Sequence, residues 1–311
     1  MKPYSIISIG DKGGADLHGA LQIAIAHMKV FEEDIKVSYL KKPNTSVSRL
    51  LRISRILNDV VRHGVRNPEN RVQLLVLPEV SVPHAFAAFL TRWAREHQIG
   101  IICGLEHRVD GRGFAWNQLL AALPYRAGNG RKSCLPIRRL KQHYAPEERF
   151  ILENNGLKVP TSSEHSRYQL FRWRGASFAV YNCYELASLE DRSIFKGRVD
   201  FIVCSEFNAD VNYFANIVTS AARDLHCYVV QVNSSHFGDS RVVSPSRTEK
   251  LTPLHIKGGD NQTFLTMKLA LKELRDHQRL GYGLQKDSKD FKCTPPGFNV
   301  ASVEERIGLG G

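Results

Sequence analysis

Apolar positions fall into two periods along this chain. Leu50, Leu51, Ile53, Ile56, Leu57, Val60 and Val61 recur at helical spacing, which predicts an amphipathic helix there. Phe86, Phe89, Leu90 and Trp93 repeat at i, i+3, i+4 and i+7, and Val211, Phe214, Ala215, Val218, Ala222 and Leu225 mark another helix face. Between them lie short, nearly continuous apolar runs of the kind that strands covered on both faces show: residues 72–77, 99–103, 116–122, 178–182, 199–204 and 227–232. Residues 4–9, 35–40 and 263–269 complete the expected strands. Further helices are expected over 15–29, after a Gly-rich turn, and near 188–195. Apolar strands alternating with amphipathic helices predict an α/β protein whose sheets are covered by helices.

Composition narrows the class. At 311 residues, 42% hydrophobic and 24% charged, the chain can hold one large domain or two small ones, with a core that needs no disulfides. The six cysteines (103, 134, 183, 204, 227 and 293) lie mostly inside apolar runs with no CxxC pairing, so free thiols in a reducing, cytosolic compartment are expected. No signal peptide opens the chain and no apolar run is long enough to span a bilayer, so no membrane partner is expected. A net charge of +12 leaves two readings open, a solvated basic surface or contact with nucleic acid or another polyanion. No RNA-binding aromatic signature, zinc-finger spacing, P-loop or G-x-G-x-x-G accompanies that charge. Cys103 and His107 stand at i and i+4, but two residues do not make a zinc site.

Three reactive groups occupy comparable places. Glu79 ends one apolar run, Lys141 opens Lys-Gln-His-Tyr-Ala-Pro-Glu, and Cys183 ends another apolar run before Tyr184-Glu185. A thiol attacks a carbonyl or nitrile carbon only as thiolate, so it needs a base or a nearby cation. Glu79 can take the Cys183 proton and later return it to a leaving amine. Lys141, with the backbone N–H of Tyr184, can stabilise the tetrahedral oxyanion. Glu147 or Glu148 can orient the ammonium or assist the water that hydrolyses a thioester. Glu185 reads as a positioning or dimer-contact residue. The strand-to-turn position of Cys183 is that of a nucleophile elbow, without its G-x-C-x-G. Taken singly, Cys183 fits a buried structural thiol, Glu79 a solvated strand end and Lys141 plain surface charge. His143, His226 and His236 leave a Cys–His pair open.

In order along the chain, Leu-Val-Leu-Pro-Glu79, Lys141 with His143 two residues on, and Asn-Cys183-Tyr-Glu resemble the nitrilase, or carbon–nitrogen hydrolase, superfamily. Ile101-Ile102-Cys103-Gly104, Trp116-Asn117-Gln118 and the segment from Ala222 to Asn233 are similar to further family segments. The likeness covers roughly residues 35–270. It implies a four-layer α-β-β-α sandwich, with Glu79 as general base, Lys141 as oxyanion stabiliser and Cys183 as nucleophile. It also implies cleavage of an amide or nitrile C–N bond without cofactor or metal. Members pair through helices near the nucleophile, so a homodimer or higher homo-oligomer is expected.

Departures accompany the likeness. The stretch after Cys183-Tyr-Glu is Leu-Ala-Ser-Leu-Glu-Asp-Arg, unlike the family's Arg-Phe-Pro-Glu, which implies an atypical acyl pocket. The expected strand over 35–40 runs into Lys41-Lys42-Pro43 where the family's first strand reads toward a Gln. Residues 1–34 have no evident counterpart. The division expected is therefore an N-terminal extension (1–34), a catalytic domain (35–270) and a charged tail (271–311) extending over the surface or onto a partner protomer or domain. The basic, divergent character is similar to nitrilase-like domains that accompany reverse transcriptases in antiphage defence. That implies an alternative, a scaffold or regulatory module contacting nucleic acid.

Overall fold

The structure, a computed structural model, describes residues 3–10, 19–161 and 163–308. Along the chain run β1 (Tyr4–Ile9), β2 (Ala20–His27), α1 (Glu32–Tyr39), α2 (Val47–Arg66), β3 (Leu74–Val76), α3 (Ala87–His97), β4 (Gly100–Val109), β5 (Ala115–Arg126), β6 (Lys132–Leu140) and α4 (Pro146–Asn154). Then come β7 (Tyr168–Trp173), β8 (Ala176–Asn182), α5 (Leu189–Ser193), β9 (Phe201–Ser205), α6 (Val211–Leu225), β10 (Tyr228–Val232), β11 (Ser240–Val243), β12 (Leu254–Ile256) and β13 (Thr263–Ala270). Helices α7 (Leu271–Arg279), α8 (Tyr282–Asp287) and α9 (Val300–Arg306) follow.

The strands form two sheets, in the orders β1-β7-β8-β9-β10-β11-β12 and β13-β2-β3-β4-β5-β6. Their facing sides enclose one core. Leu21, Ile23, Ile25, Leu74, Val76 and Ile102 come from the second sheet, and Phe171, Phe178, Phe201, Val203 and Val230 from the first. Phe178 stacks between Phe171 and Phe201 at centroid distances of 5.1 and 4.8 Å, tying three adjacent strands. Outside the second sheet, α2 and α3 bury Ile53, Ile56, Leu57, Val60, Leu90 and Trp93 against Ala24, Leu75 and Ile101. Outside the first, α6 sets Val218, Ala221, Ala222 and Leu225 on Ile202, Cys204 and Val229. Each such aliphatic side chain contributes roughly 1.5–3 kcal/mol by leaving water. The result is the expected helix–sheet–sheet–helix layering.

Two local expectations are corrected. Residues 35–40 lie mainly in α1, not in a strand: Asp34, Ile35 and Ser38 are buried at helical spacing, and Glu32, Glu33 and Asp34 complement the helix N-terminus. The helix expected over 15–29 is instead β2, as far as it lies in described residues (15–18 fall outside them). Leu21, Ile23 and Ile25 face the other sheet while Ala24 and Ala26 face the helices. Small alanines on one face hid the period of two.

The expected tripartite division does not coincide with the sheets. β2 pairs with β3 and β13 inside its sheet, and β1 pairs with β7. The charged tail folds onto its own protomer. Leu271 and Leu274 enter the central core, and Arg275 and Arg306 both reach buried Asp200.

Candidate active site

β3 and β6 run the same way in one sheet, and their C-terminal ends, with that of β8 in the other sheet, bring Glu79, Lys141 and Cys183 to one pole of the sandwich. All three are buried. Two turns there are strained. Val80, directly after Glu79, has φ 46°, and Cys183 itself has φ 51°. A β-branched residue in the left-handed region costs energy that the surroundings must hold, and such strain clusters at functional sites. Gly104 in β4 permits the first turn, because a Cβ there would collide with the Glu79 backbone. Its N–H donates to the Pro78 carbonyl at 3.2 Å.

The Lys141 ammonium is the centre of the cluster. It donates to Glu79 Oε1 at 2.8 Å and to Glu148 Oε2 at 2.6 Å. Burial alone would lower its pKa, but the carboxylates of Glu148 and Glu79 outweigh that and hold it well above the ordinary lysine value. Glu148, in the first turn of α4, is held well below the usual carboxylate range: Lys141 and a hydrogen bond from His107 overcome its burial. Asn117 of β5 bridges the two acids, donating from Nδ2 to Glu79 Oε1 (2.9 Å) and Glu148 Oε1 (2.7 Å). Its Oδ1 accepts from Asn182 Nδ2 at 2.8 Å, and Asn182 is the neighbour of Cys183. One hydrogen-bonded chain therefore links the Glu79 carboxylate, the Lys141 ammonium and the residue before Cys183.

The Cys183 thiol is pushed well above its ordinary value, first by burial and then by the charge of Glu79, against the opposing effects of Lys141 and the Phe207 N–H. A thiol so placed would need a base beside it to react as a nucleophile. Glu185 positions the segment. It takes a bidentate pair from buried Arg139 (2.7 and 2.6 Å), the Asn182 N–H (2.7 Å) and the Gln142 N–H (2.5 Å), fastening the residues flanking Lys141 to those flanking Cys183.

The other candidates sort themselves by contact. Glu148 belongs to the cluster, whereas Glu147 is exposed and points away from it. Glu147 sits one position along α4 from Glu148, about 100° around the axis, so both cannot face Lys141. Tyr184, half-buried, follows Cys183 with its backbone in the same turn. The histidines offered for a Cys–His pair are engaged elsewhere: His143 with Asp191, His226 with Gln278, His236 with Ser234. Cys103 lies in the core, while His107 reaches Glu148 at 2.8 Å. His107, Asn117 and Asn182 have no role in the sequence reading, although Asn117 and Asn182 both lie in segments that resemble the family. Tyr39 of α1 was also missed. Its ring lies 5.1 Å from that of His107, and burial with the nearby charges of Glu148 and Glu79 raises its phenol.

No family model and no curated protein matches the sequence. Solved structures match it closely in shape. Nit3 of Saccharomyces cerevisiae, a member of branch 10 of the nitrilase superfamily, superposes with a TM-score of 0.58 at 15% identity, over 88% of this chain and 99% of its own. An amidase from Nesterenkonia sp. gives 0.56 at 16% identity over 89% and 99%. A CN-hydrolase superfamily protein of Xanthomonas campestris, with an arsenic adduct in its active site, gives 0.57 at 16% over 88% and 99%. The two sheets, their helical covers and these superpositions together establish that this chain has the fold of the nitrilase superfamily.

Proposed function

We propose that the chain is a carbon–nitrogen hydrolase that cleaves a non-peptide amide through a thioester on Cys183. The observation that carries this is the Lys141 ammonium held between Glu79 and Glu148 and tied through Asn117 and Asn182 to the strained Cys183 backbone. Glu79 takes the thiol proton as sulfur attacks the carbonyl carbon. The carbonyl oxygen becomes an oxyanion facing Lys141 and the Tyr184 N–H. Glu79 then gives the proton to nitrogen, the C–N bond breaks and ammonia or an amine leaves. Water, deprotonated by Glu79, attacks the thioester, the C–S bond breaks to release the acid, and Glu79 returns the proton to the Cys183 sulfur, while Glu148 keeps the ammonium in place throughout.

Amides are favoured over nitriles on the strength of the amidase among the structural neighbours. A variant of that Nesterenkonia enzyme carries the acetamide moiety of fluoroacetamide on its active-site cysteine. Fluoroacetamide is therefore the test. Native wild-type protein gains the acetamide mass on the Cys183 peptide and the Cys183→Ala variant gains none. Labelling spread over other cysteines, with Cys183 untouched, would defeat the proposal.

Pairing through α5 and α6 is proposed with it, because Leu189 and Tyr213 leave apolar surface exposed there. Light scattering on wild type and Tyr213→Glu distinguishes dimer from monomer. The alternative, a module contacting nucleic acid in antiphage defence, rests on the charge of +12. It requires an affinity for nucleic acid that falls steeply with salt.

A further inference from the structure

Glu206 immediately follows β9 and is fully buried. Its backbone is joined to the site directly: the Glu79 N–H donates to the Glu206 carbonyl at 3.2 Å, and the Glu206 N–H donates to the Val232 carbonyl at 2.8 Å. Its side chain accepts from Gln231 Nε2 at 2.8 Å on Oε2, and Oε1 is buried with no partner. The Cys204 thiol lies beside this carboxyl and donates to the Cys183 carbonyl at 3.7 Å. Glu206 thus adjoins the nucleophile's strained residue through a single intervening side chain.

The titratable groups facing Glu206 come from every element around it. They are Cys204 from β9, Glu79 from the end of β3, Cys183 from the end of β8, and Asp239 from the β10–β11 connection. Asp239 is itself paired with Arg241 and His255. No cation lies within ion-pair distance of the Glu206 carboxyl among the described residues. A buried carboxylate with one amide donor and no counter-ion loses far more hydration than it recovers, so the neutral acid is the stable form.

We propose that Glu206 is a positioning acid for Cys183, kept uncharged so that the nucleophile's surroundings can accept the negative charge of the attacking sulfur. The inference rests on Cys183 being the nucleophile, as proposed above. Burial, with Glu79 and Asp239 adding to it and Gln231 and Cys204 opposing, holds the Glu206 carboxyl at about 8. In neutral solution Glu206 therefore adds no charge to the site of Glu79, Glu148 and Lys141. In alkaline solution the site gains a third carboxylate, and Glu206 is among the groups that push the Cys183 thiol up. A further negative charge in a buried site opposes thiolate formation.

The test is the rate at which iodoacetamide alkylates Cys183 in native protein, followed by mass spectrometry of the Cys183 peptide. Sulfur loses its proton, the S–C bond forms and iodide leaves. The readout is the rate at about pH 9.5 divided by the rate at about pH 7, and Glu206→Gln is expected to raise that ratio about tenfold over wild type. Glu206→Leu, which also removes the charge, must match Glu206→Gln and stands in for it if the Gln variant does not fold. Superimposable profiles for wild type and variant would overturn the proposal.

A second measurement is independent of the nucleophile. A carboxyl raised in the folded state contributes stability that is fully present below its unfolded value of about 4.3 and is lost as pH rises through about 8. Glu206→Gln should therefore shift the urea midpoint upward relative to wild type near pH 9, with the gain vanishing near pH 4. A gain that is the same at both pH values would overturn the neutral acid. If Cys183 proves unreactive at every pH, the proposed nucleophile fails, and the urea series still decides whether Glu206 is held neutral.

Discussion

Two buried ionic clusters in this chain use the same kinds of side chain to opposite ends. In one, Lys141 serves two carboxylates, Glu79 and Glu148, with a thiol close by. In the other, Asp200 is held by two guanidiniums, accepting from Arg275 at 2.8 and 2.6 Å and from Arg306 at 2.7 Å, and from the Ser177 N–H at 2.7 Å. The second cluster has no exchangeable proton near neutrality, since arginine does not deprotonate. It fastens α7 and α9 to the start of β9 on regular backbone. The first cluster has two carboxylates to one ammonium, a neighbouring thiol with an exchangeable proton, and left-handed backbone at Val80 and Cys183. Burial and ion pairing do not by themselves distinguish a chemical site from a fastener. Strain and exchangeable protons do.

Variants can break this contrast. Cys183→Ala should reduce hydrolysis by more than about a thousandfold while leaving the thermal transition close to wild type, as calorimetry would check. Lys141→Met strands two buried carboxylates, so it should cost about 3–5 kcal/mol in urea unfolding as well as most of the activity. Arg306→Met should cost about as much stability and leave kcat unchanged. A fall in kcat per folded molecule would mean that the fastener and the site are coupled. Asn117→Ala leaves every reacting group in place but unties them, and a loss of about ten- to a hundredfold in kcat/KM is expected from steady-state kinetics. The pH dependence separates the clusters again. The Asp200 carboxyl, despite its burial, is held below its ordinary value by Arg306 and Arg275. Its contribution is present above the unfolded value of about 3.9 and is lost as pH falls through the folded one. Asp200→Asn should remove that acid-limb loss in urea midpoints. The smallest effect expected is from Tyr39→Phe, which deletes a hydroxyl at the edge of the site and should change KM by no more than about threefold.

The sequence carried the layered architecture because its strands are covered on both faces and its helices on one. Residues 50–61 and 86–93 could read only as helix stripes, and 74–77 and 178–182 only as buried runs. It also pointed to Glu79, Lys141 and Cys183 as candidates, since a carboxylate, an ammonium and a thiol at strand ends are chemically conspicuous. It left Glu147 and Glu148 as alternatives, of which Glu148 is the one in contact with Lys141. Hidden were β2, whose helix-facing alanines masked the alternation, and α1, whose Ile-Lys-Val-Ser-Tyr mimics a strand. Asn117, Asn182 and His107 were silent for a different reason. A neutral side chain acquires a role only from the partners that tertiary structure brings to it, and those partners come from distant segments of the chain.

The most direct measurement is mass spectrometry of native protein quenched in acid after exposure to a small-molecule cell extract. If Cys183 is the nucleophile, its peptide carries an acyl group whose mass identifies the substrate's acid half, and hydroxylamine removes it as a hydroxamate. A Cys183 peptide that remains unmodified in native protein, yet alkylates readily once denatured, would contradict the proposed chemistry.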